Sequence, residues 1–309
     1  MKILFVTSNR LGDAVLSTGL LDHLIRTYPE AGITVVCGPV AEGVFARMPN
    51  RARTIVLRKQ SRGWHWLPLW AATLPHLWDL VVDIRGSALS WLVPTRRRGV
   101  FRRTGGPKIA ELGAILGLSP PPSPVAWSNA ADRLRIGKML APGIPIIALA
   151  PTANWEPKVW RAERFAGAFH RLAGPDTLPV VLGGPGEAEQ AMAAPLLAAL
   201  PEAVDLVGRL TLPEVAACLE RATLFIGNDS GLMHLSAAAG APTVGLFGPT
   251  DAATYAPTGS RAVAVVAASM DAITVDQVVG AARTLLDRPP VAVTSSTIIA
   301  ANARRVVSR

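Results

Sequence analysis

Short apolar runs recur along the chain, each followed by a polar or glycine-bearing turn and then by a segment with helical spacing. Residues 2–7 (KILFVT) read as a strand, 12–27 as a helix and 33–37 as a second strand, so the chain opens β-α-β. Further strands are predicted at 53–57 and 80–84, the latter as in a sheet covered on both faces, and a helix at 111–118 ends near the proline-rich LSPPPSPVAW. A helix at 132–140 then precedes a second series. Strands are predicted at 146–149, 179–182, 205–207, 223–226 and 243–247, and helices at 162–172, 187–200, 212–221 and 231–239.

Strands alternating with helices predict parallel sheets wound on both sides. The break near Pro142 and Pro145 divides the chain into 1–143 and 144–309. The expected fold class is therefore α/β, with two Rossmann-like doubly wound parallel-sheet domains facing across a cleft. With 309 residues, half of them hydrophobic, each domain can bury its own core. Ligands of such sheets sit beyond the carboxyl ends of the strands, which points to the loops after each strand for chemistry. Residues 291–309 read either as a helix packing back on the first domain or as a loose basic tail.

Composition narrows the class. Cys37 and Cys218 are far apart and lack metal-ligand spacing, which argues against a disulfide framework or a zinc site and fits a reduced cytoplasmic compartment. The apolar start is too short for a signal-peptide core, and the stretch 67–84 is interrupted by Pro68, Pro75, His76 and Asp79, so no membrane-spanning helix is expected. The formal net charge is +9, and RRRGVFRR places Arg96, Arg97, Arg98, Arg102 and Arg103 within eight positions. That run fits a polyanionic partner or a solvated basic loop. Zinc-finger spacing, an RNP motif and a heptad-linked basic region are all missing, so nucleic acid is not the expected partner.

Four loops carry candidate chemistry, each with a plainer structural reading beside it. GNDSGLMHLSAAAGAPTVGLFGPTD begins at a strand end, where Asp229 or Ser230 would cap a helix whose free N–H groups suit a diphosphate. Gly231 lets a ligand approach the backbone, and His234 shares a helix face with Ser230. In SNRLGDAVLSTGLL, Asp13 fits either an N-cap or a general base. In APTANWEPKVWRAERF, Lys158 fits a surface lysine or a neutraliser of phosphate charge. In LGGPGEAEQ, Glu187 fits a helix start or an acceptor for ribose hydroxyls.

Taken in order, these motifs resemble the family 9 glycosyltransferases, typified by the ADP-heptose:lipopolysaccharide heptosyltransferases. ILFVTSNRLGDAVLSTGLL, the Lys158–Trp160 pair ahead of RAERFAGAF, LGGPGEAEQA, NDSGLMHLSAAAGAPTVGLFGPTD and SMDAITVDQVVGAARTLL carry the likeness over most of the chain. The resemblance implies a GT-B architecture, with the acceptor on the N-terminal domain and the nucleotide sugar on the C-terminal one. It implies inversion at the anomeric carbon without a metal or other cofactor. By motif position Asp13 is the catalytic base, and Lys158, Glu187, Asp229, Ser230, Gly231 and His234 bind the sugar donor, expected to be ADP-heptose. Ser230 stands where many heptosyltransferases have threonine, keeping the hydroxyl and losing a methyl. Another nucleotide sugar, or a non-catalytic sugar-nucleotide or glycolipid-binding role, are the alternative readings.

In that light the arginine run and Trp64, Trp66, Trp70, Trp78 and Trp91 fall in the domain expected to meet an anionic glycolipid or glycan acceptor. Arginine forks suit phosphates, and tryptophan suits a membrane interface or a sugar face. The resulting expectation is a cytoplasmic monomer in peripheral contact with the inner membrane, against the simpler reading that the tryptophans are core.

Overall fold

The structure is a computed structural model and describes residues 1–58 and 63–287. β1 (Lys2–Val6), β2 (Gly32–Cys37), β3 (Arg51–Val56), β4 (Leu80–Asp83) and β5 (Arg98–Val100) form a parallel sheet in the order β3-β2-β1-β4-β5. A second parallel sheet, in the order β11-β10-β9-β6-β7-β8, contains β6 (Ile146–Ala150), β7 (Leu178–Val181), β8 (Val204–Asp205), β9 (Leu224–Asn228), β10 (Thr243–Phe247) and β11 (Ala262–Val266). The strand order reverses between β1 and β4 and again between β6 and β9. In doubly wound sheets these switch points open the crevices that take ligands.

The helices are α1 (Leu11–Leu16), α2 (Thr18–Thr27), α3 (Trp66–Thr73), α4 (Leu89–Leu92), α5 (Lys108–Ala114), α6 (Ala130–Met139), α7 (Ala162–Leu172), α8 (Glu187–Ala199), α9 (Leu212–Leu219), α10 (Gly231–Ala238), α11 (Ala252–Tyr255) and α12 (Val275–Leu286). Their starts follow local chemistry: Asn129, Thr211 and Thr274 close capping boxes on α6, α9 and α12. The single helix expected at 12–27 is divided at Ser17. There Ser17 Oγ donates to the Ala14 carbonyl and Thr18 Oγ1 to that of Val15, each at 2.7 Å. Such back-bonding competes with the helical ladder and bends the axis. β5 was not expected, because its residues lie in the arginine run; it is a three-residue edge strand in which charged side chains are at home.

Apolar side chains form three layers instead of two separate cores. One backs the second sheet, around Leu149, Trp160, Phe165, Ile226 and Leu246. Another lies on one face of the first sheet, around Leu4, Val6, Leu69, Trp78 and Val81. The third runs continuously from the first sheet (Ile3, Phe5, Val35, Val82) through Leu20, Leu24, Leu232, Leu235 and Ile136 to the second (Ile146, Phe225, Phe247). It exists because the helices lining the inner faces of both sheets pack against each other. The proline-rich stretch laces the same helices together: Val125 N donates to Thr18 Oγ1 at 2.8 Å and Ala126 N to the Ala238 carbonyl at 3.1 Å.

α12 packs on α7 and β11, within the second sheet's outer layer. The expectation for 291–309 lies outside the described residues. Among the described residues no helix is long and apolar enough to cross a membrane. The apolar stretch from 67 instead supplies α3 and leads into β4.

Candidate active site

The carboxyl ends of β1 and β9 bring the first turns of α1 and α10 into contact. A Cβ on Gly12 would come within 3.0 Å of His234 Cδ2, and one on Gly231 within 2.5 Å of Leu11 Cγ. Glycine at both positions allows this approach. The loop holding Asp13 and the loop holding His234 thus meet directly, with the two sheets on either side.

On the second sheet, Lys158 Nζ donates to Asp229 Oδ2 at 2.7 Å, and both side chains are largely buried. Their meeting is arranged by Asn228, fully buried at the end of β9. Its Oδ1 accepts from the Trp160 amide at 3.1 Å and its Nδ2 donates to the Pro151 carbonyl at 2.8 Å. Trp160, buried and edge-on to Phe165 at 5.0 Å, anchors the loop further by donating Nε1–H to the Ile273 carbonyl. Lys158 is therefore held in place from behind.

Ser230 is the N-cap residue of α10 by backbone conformation, yet its side chain makes no capping bond, contrary to the plainer expectation for this residue. Its Oγ is buried and without a partner, as is His234 Nδ1. Unpaired buried polar groups are costly, and two beside the open N–H groups of a helix start mark a place for a polar ligand. His234 is held neutral: burial pushes its pKa down to about 4, against the pull of Asp229 and Asp13 and with a smaller push from Lys158.

On the first sheet, Asp13 occupies the third position of α1, whose N-cap residue is Arg10, so the carboxylate is not the cap. Ser8 Oγ donates to Asp13 Oδ2 at 3.2 Å, and the Arg10 amide donates to Ser8 Oγ at 3.1 Å. Asp13 faces a cavity of about 500 Å³ lined by Ser8, Asn9, Arg10, His65, Trp66 and Arg85. The Arg85 guanidinium lies 5.2 Å from the Trp66 ring centre, and its Nη1 donates to Asn9 Oδ1 at 3.3 Å. Lys108 approaches from another side, its ammonium 3.6 Å from the Phe101 ring centre. Burial lowers the Lys108 pKa, while Asp13 and Glu111 hold it up. Tyr255 of α11 reaches the same neighbourhood from the second sheet; burial, then Asp13, raises its pKa.

The structure thus gathers Asp13, Lys158, Asp229, Ser230, Gly231 and His234 around the α1–α10 contact. Glu187 stands apart, exposed in the first turn of α8. Glu189, which the sequence did not single out, accepts from the Gly184 amide at 2.9 Å and fixes that turn. The arginine run is split. Arg97 turns to Tyr28 on the inner face, with 5.9 Å between guanidinium and ring, whereas Arg98 lies over Trp91, at 4.8 Å. Arg96 faces Asp79 at 3.5 Å, near the amino ends of the strands. Only Arg102 and Arg103 lie beyond the carboxyl end of β5, on a loop held by Glu111, which accepts from the Thr104 and Gly105 amides. Arg10, Arg85, Lys108 and Asn228 are site residues that the motifs alone did not single out.

Two facing, doubly wound parallel sheets with polar groups converging between their carboxyl ends define a GT-B fold. Residues 112–278 match the model of glycosyltransferase family 9 (heptosyltransferase). The chain belongs to that family. Lipopolysaccharide heptosyltransferase 1 of Salmonella typhimurium is 25% identical over 294 residues, covering 81% of this chain and 89% of that protein. Among solved structures, ADP-heptose lps heptosyltransferase II of E. coli superposes with a TM-score of 0.75 at 20% identity, over 93% of this chain and 98% of that one. E. coli heptosyltransferase WaaC with ADP-2-deoxy-2-fluoro heptose gives 0.69 at 17% identity, over 90% and 98%.

Proposed function

We propose that this chain is an inverting transferase that moves heptose from ADP-heptose to a lipopolysaccharide core or related glycan acceptor on the cytoplasmic side of the inner membrane. The observation that carries the reading is the meeting of Asp13 with the α10 start across the two sheets. An inverting displacement needs a base on one side of the anomeric carbon and stabilisation of a leaving diphosphate on the other. The names of the relatives, and the sugar nucleotide in one of the structures, favour ADP-heptose as the donor.

In this reading the Asp13 carboxylate takes the proton from the acceptor hydroxyl while Ser8 holds one of its oxygens. The acceptor oxygen bonds to the anomeric carbon as the bond from that carbon to the β-phosphate oxygen breaks, and ADP leaves with the electron pair. Lys158 and the first N–H groups of α10 meet the diphosphate charge. Ser230 Oγ and neutral His234 supply the hydrogen bonds that they lack in the free protein. We assign the ribose to the Gly183–Gly184 turn beside Glu187, and acidic groups of the acceptor to Arg10, Arg85, Arg102 and Arg103. The mechanism requires no metal, and a monomer holds every group it names.

Asp13→Asn is expected to lower transfer about a thousandfold while ADP-heptose still raises the melting temperature, because that group serves the acceptor and not the diphosphate. Wild-type rates in the variant would remove Asp13 from the base role. A melting-temperature screen of ADP-, GDP-, UDP- and dTDP-sugars checks the nucleotide. A shift confined to a nucleotide other than ADP would overturn the choice of donor.

A further inference from the structure

Six of the large hydrophobic side chains exposed among the described residues fall on or beside α3 and α4: Trp64, Leu67, Leu74, Leu77, Trp91 and Leu92. They crown α3 and α4, which pack side by side on the outer face of the first sheet. Trp70 ties the two helices by donating Nε1–H to the Leu92 carbonyl at 3.0 Å, and Trp78 fastens the end of α3 through the Thr73 carbonyl. The exposed rings and leucines are therefore displayed on a fixed platform. Trp64 is 61% exposed and Trp91 59%, unusual for so large a side chain.

Charge identifies what such a face meets. Residues 57–104 hold nine lysines and arginines against two aspartates, and two of these arginines lie against the tryptophans of this face, Arg98 over Trp91 and Arg85 over Trp66. Both aspartates are already engaged. Asp83 is buried and accepts from the Arg85 and Ser87 amides, and Asp79 accepts from the Lys2 amide and faces Arg96. Neither of these two aspartates is left free to balance Arg98. A second copy of this chain would bring the same positive charge and be repelled, whereas an anionic bilayer attracts the arginines and accepts the tryptophans at its headgroup level.

We infer that the α3–α4 face docks this protein on an anionic membrane leaflet, with Trp64, Leu67, Trp91 and Leu92 at the interface and Arg98 on the headgroups. Trp66 belongs both to α3 and to the wall of the Asp13 cavity, so docking brings the mouth of that cavity to the lipid surface. The inference deepens the glycolipid acceptor class proposed above, yet its test needs neither sugar donor nor acceptor and so succeeds or fails apart from transfer.

The test is co-sedimentation of the full chain with vesicles of phosphatidylglycerol and phosphatidylethanolamine, and with vesicles of phosphatidylcholine alone. The wild type is expected to bind the first and not the second, with binding weakened by salt. Leu67→Glu and Trp91→Glu are each expected to reduce binding about tenfold or more with an unchanged circular dichroism spectrum. Leu134→Glu, at an exposed leucine on α6, is expected to bind as the wild type does. Equal binding by all four proteins would overturn the inference. So would a wild-type dimer, seen by size-exclusion chromatography with light scattering, that Leu67→Glu or Trp91→Glu dissolves, since the face would then belong to a second copy.

Discussion

His234 makes the site sensitive to acid in a direction that follows from its burial. Its folded pKa of about 4 lies below its ordinary value of 6.5, so the unfolded chain binds the proton more tightly. The stability it contributes is complete above pH 6.5 and is lost as pH falls towards 4, by up to about 3 kcal/mol. His234→Asn is expected to flatten that part of the profile, which urea unfolding at pH 7 and pH 4.5 measures for both proteins. An equal loss in the two would detach the acid sensitivity from this imidazole. Individual residues of the site differ in how far the sequence reveals them. Asp13, Lys158, Asp229, Ser230 and His234 follow strand ends within recognisable motifs, so their position can be read from the pattern. Arg10, Arg85 and Lys108 cannot be read that way, because an isolated basic residue gains its role only from what folding sets opposite it. Asn228 is intermediate: it lies inside the GNDSG motif, but its two bonds to the Lys158 loop connect residues 68 and 77 positions apart.

At the scale of elements, the contact of α1 with α10 depends on two small residues. Gly231→Ala places a methyl against the Leu11 side chain, which must move or push the helices apart. The expected cost is about 1–3 kcal/mol in unfolding free energy, accompanied by a larger loss of transfer activity than stability alone explains. Chemical denaturation and transfer rates on the same preparation separate the two effects. Wild-type values for both would show that the helices tolerate wider spacing. Helical and strand periodicity located most elements, α7 and β10 to the residue, because amphipathic spacing is a local property. It did not reveal the break at Ser17, which arises from hydroxyls bonding back to the turn before them. Nor did it reveal β5, whose arginines conceal a strand that only pairing with β4 defines.

At the scale of the molecule, the shared central layer and α6 join the two sheets. Arg47, beyond the first sheet's β2, grips buried Asp132 on α6 through two bonds of 2.9 and 3.0 Å, and α6 in turn packs on α9 with Arg133–Glu220 and Arg135–Glu214 pairs. Asp132 also closes the capping box of α6. Asp132→Ala is expected to cost about 2–4 kcal/mol, combining the lost charged bonds and the lost cap. Thermal unfolding of the variant checks it, and a change under 1 kcal/mol would reduce the pair to a surface contact. The division into two sheets was legible in the repeat of alternating elements. The continuous layer between them was not, since no local pattern says which helix faces will meet.

The junction of Gly12 with His234 and Gly231 with Leu11 has a consequence for fidelity. Under the proposed roles, the group that activates an incoming oxygen and the groups that hold the activated sugar are contributed by different sheets. A nucleotide sugar seated on the second sheet finds Asp229 already paired with Lys158, so the carboxylate proposed to deprotonate the incoming oxygen must come from the other sheet. Wasteful hydrolysis is thereby discouraged by the division of labour between the sheets, and two missing side chains allow the halves to complete each other.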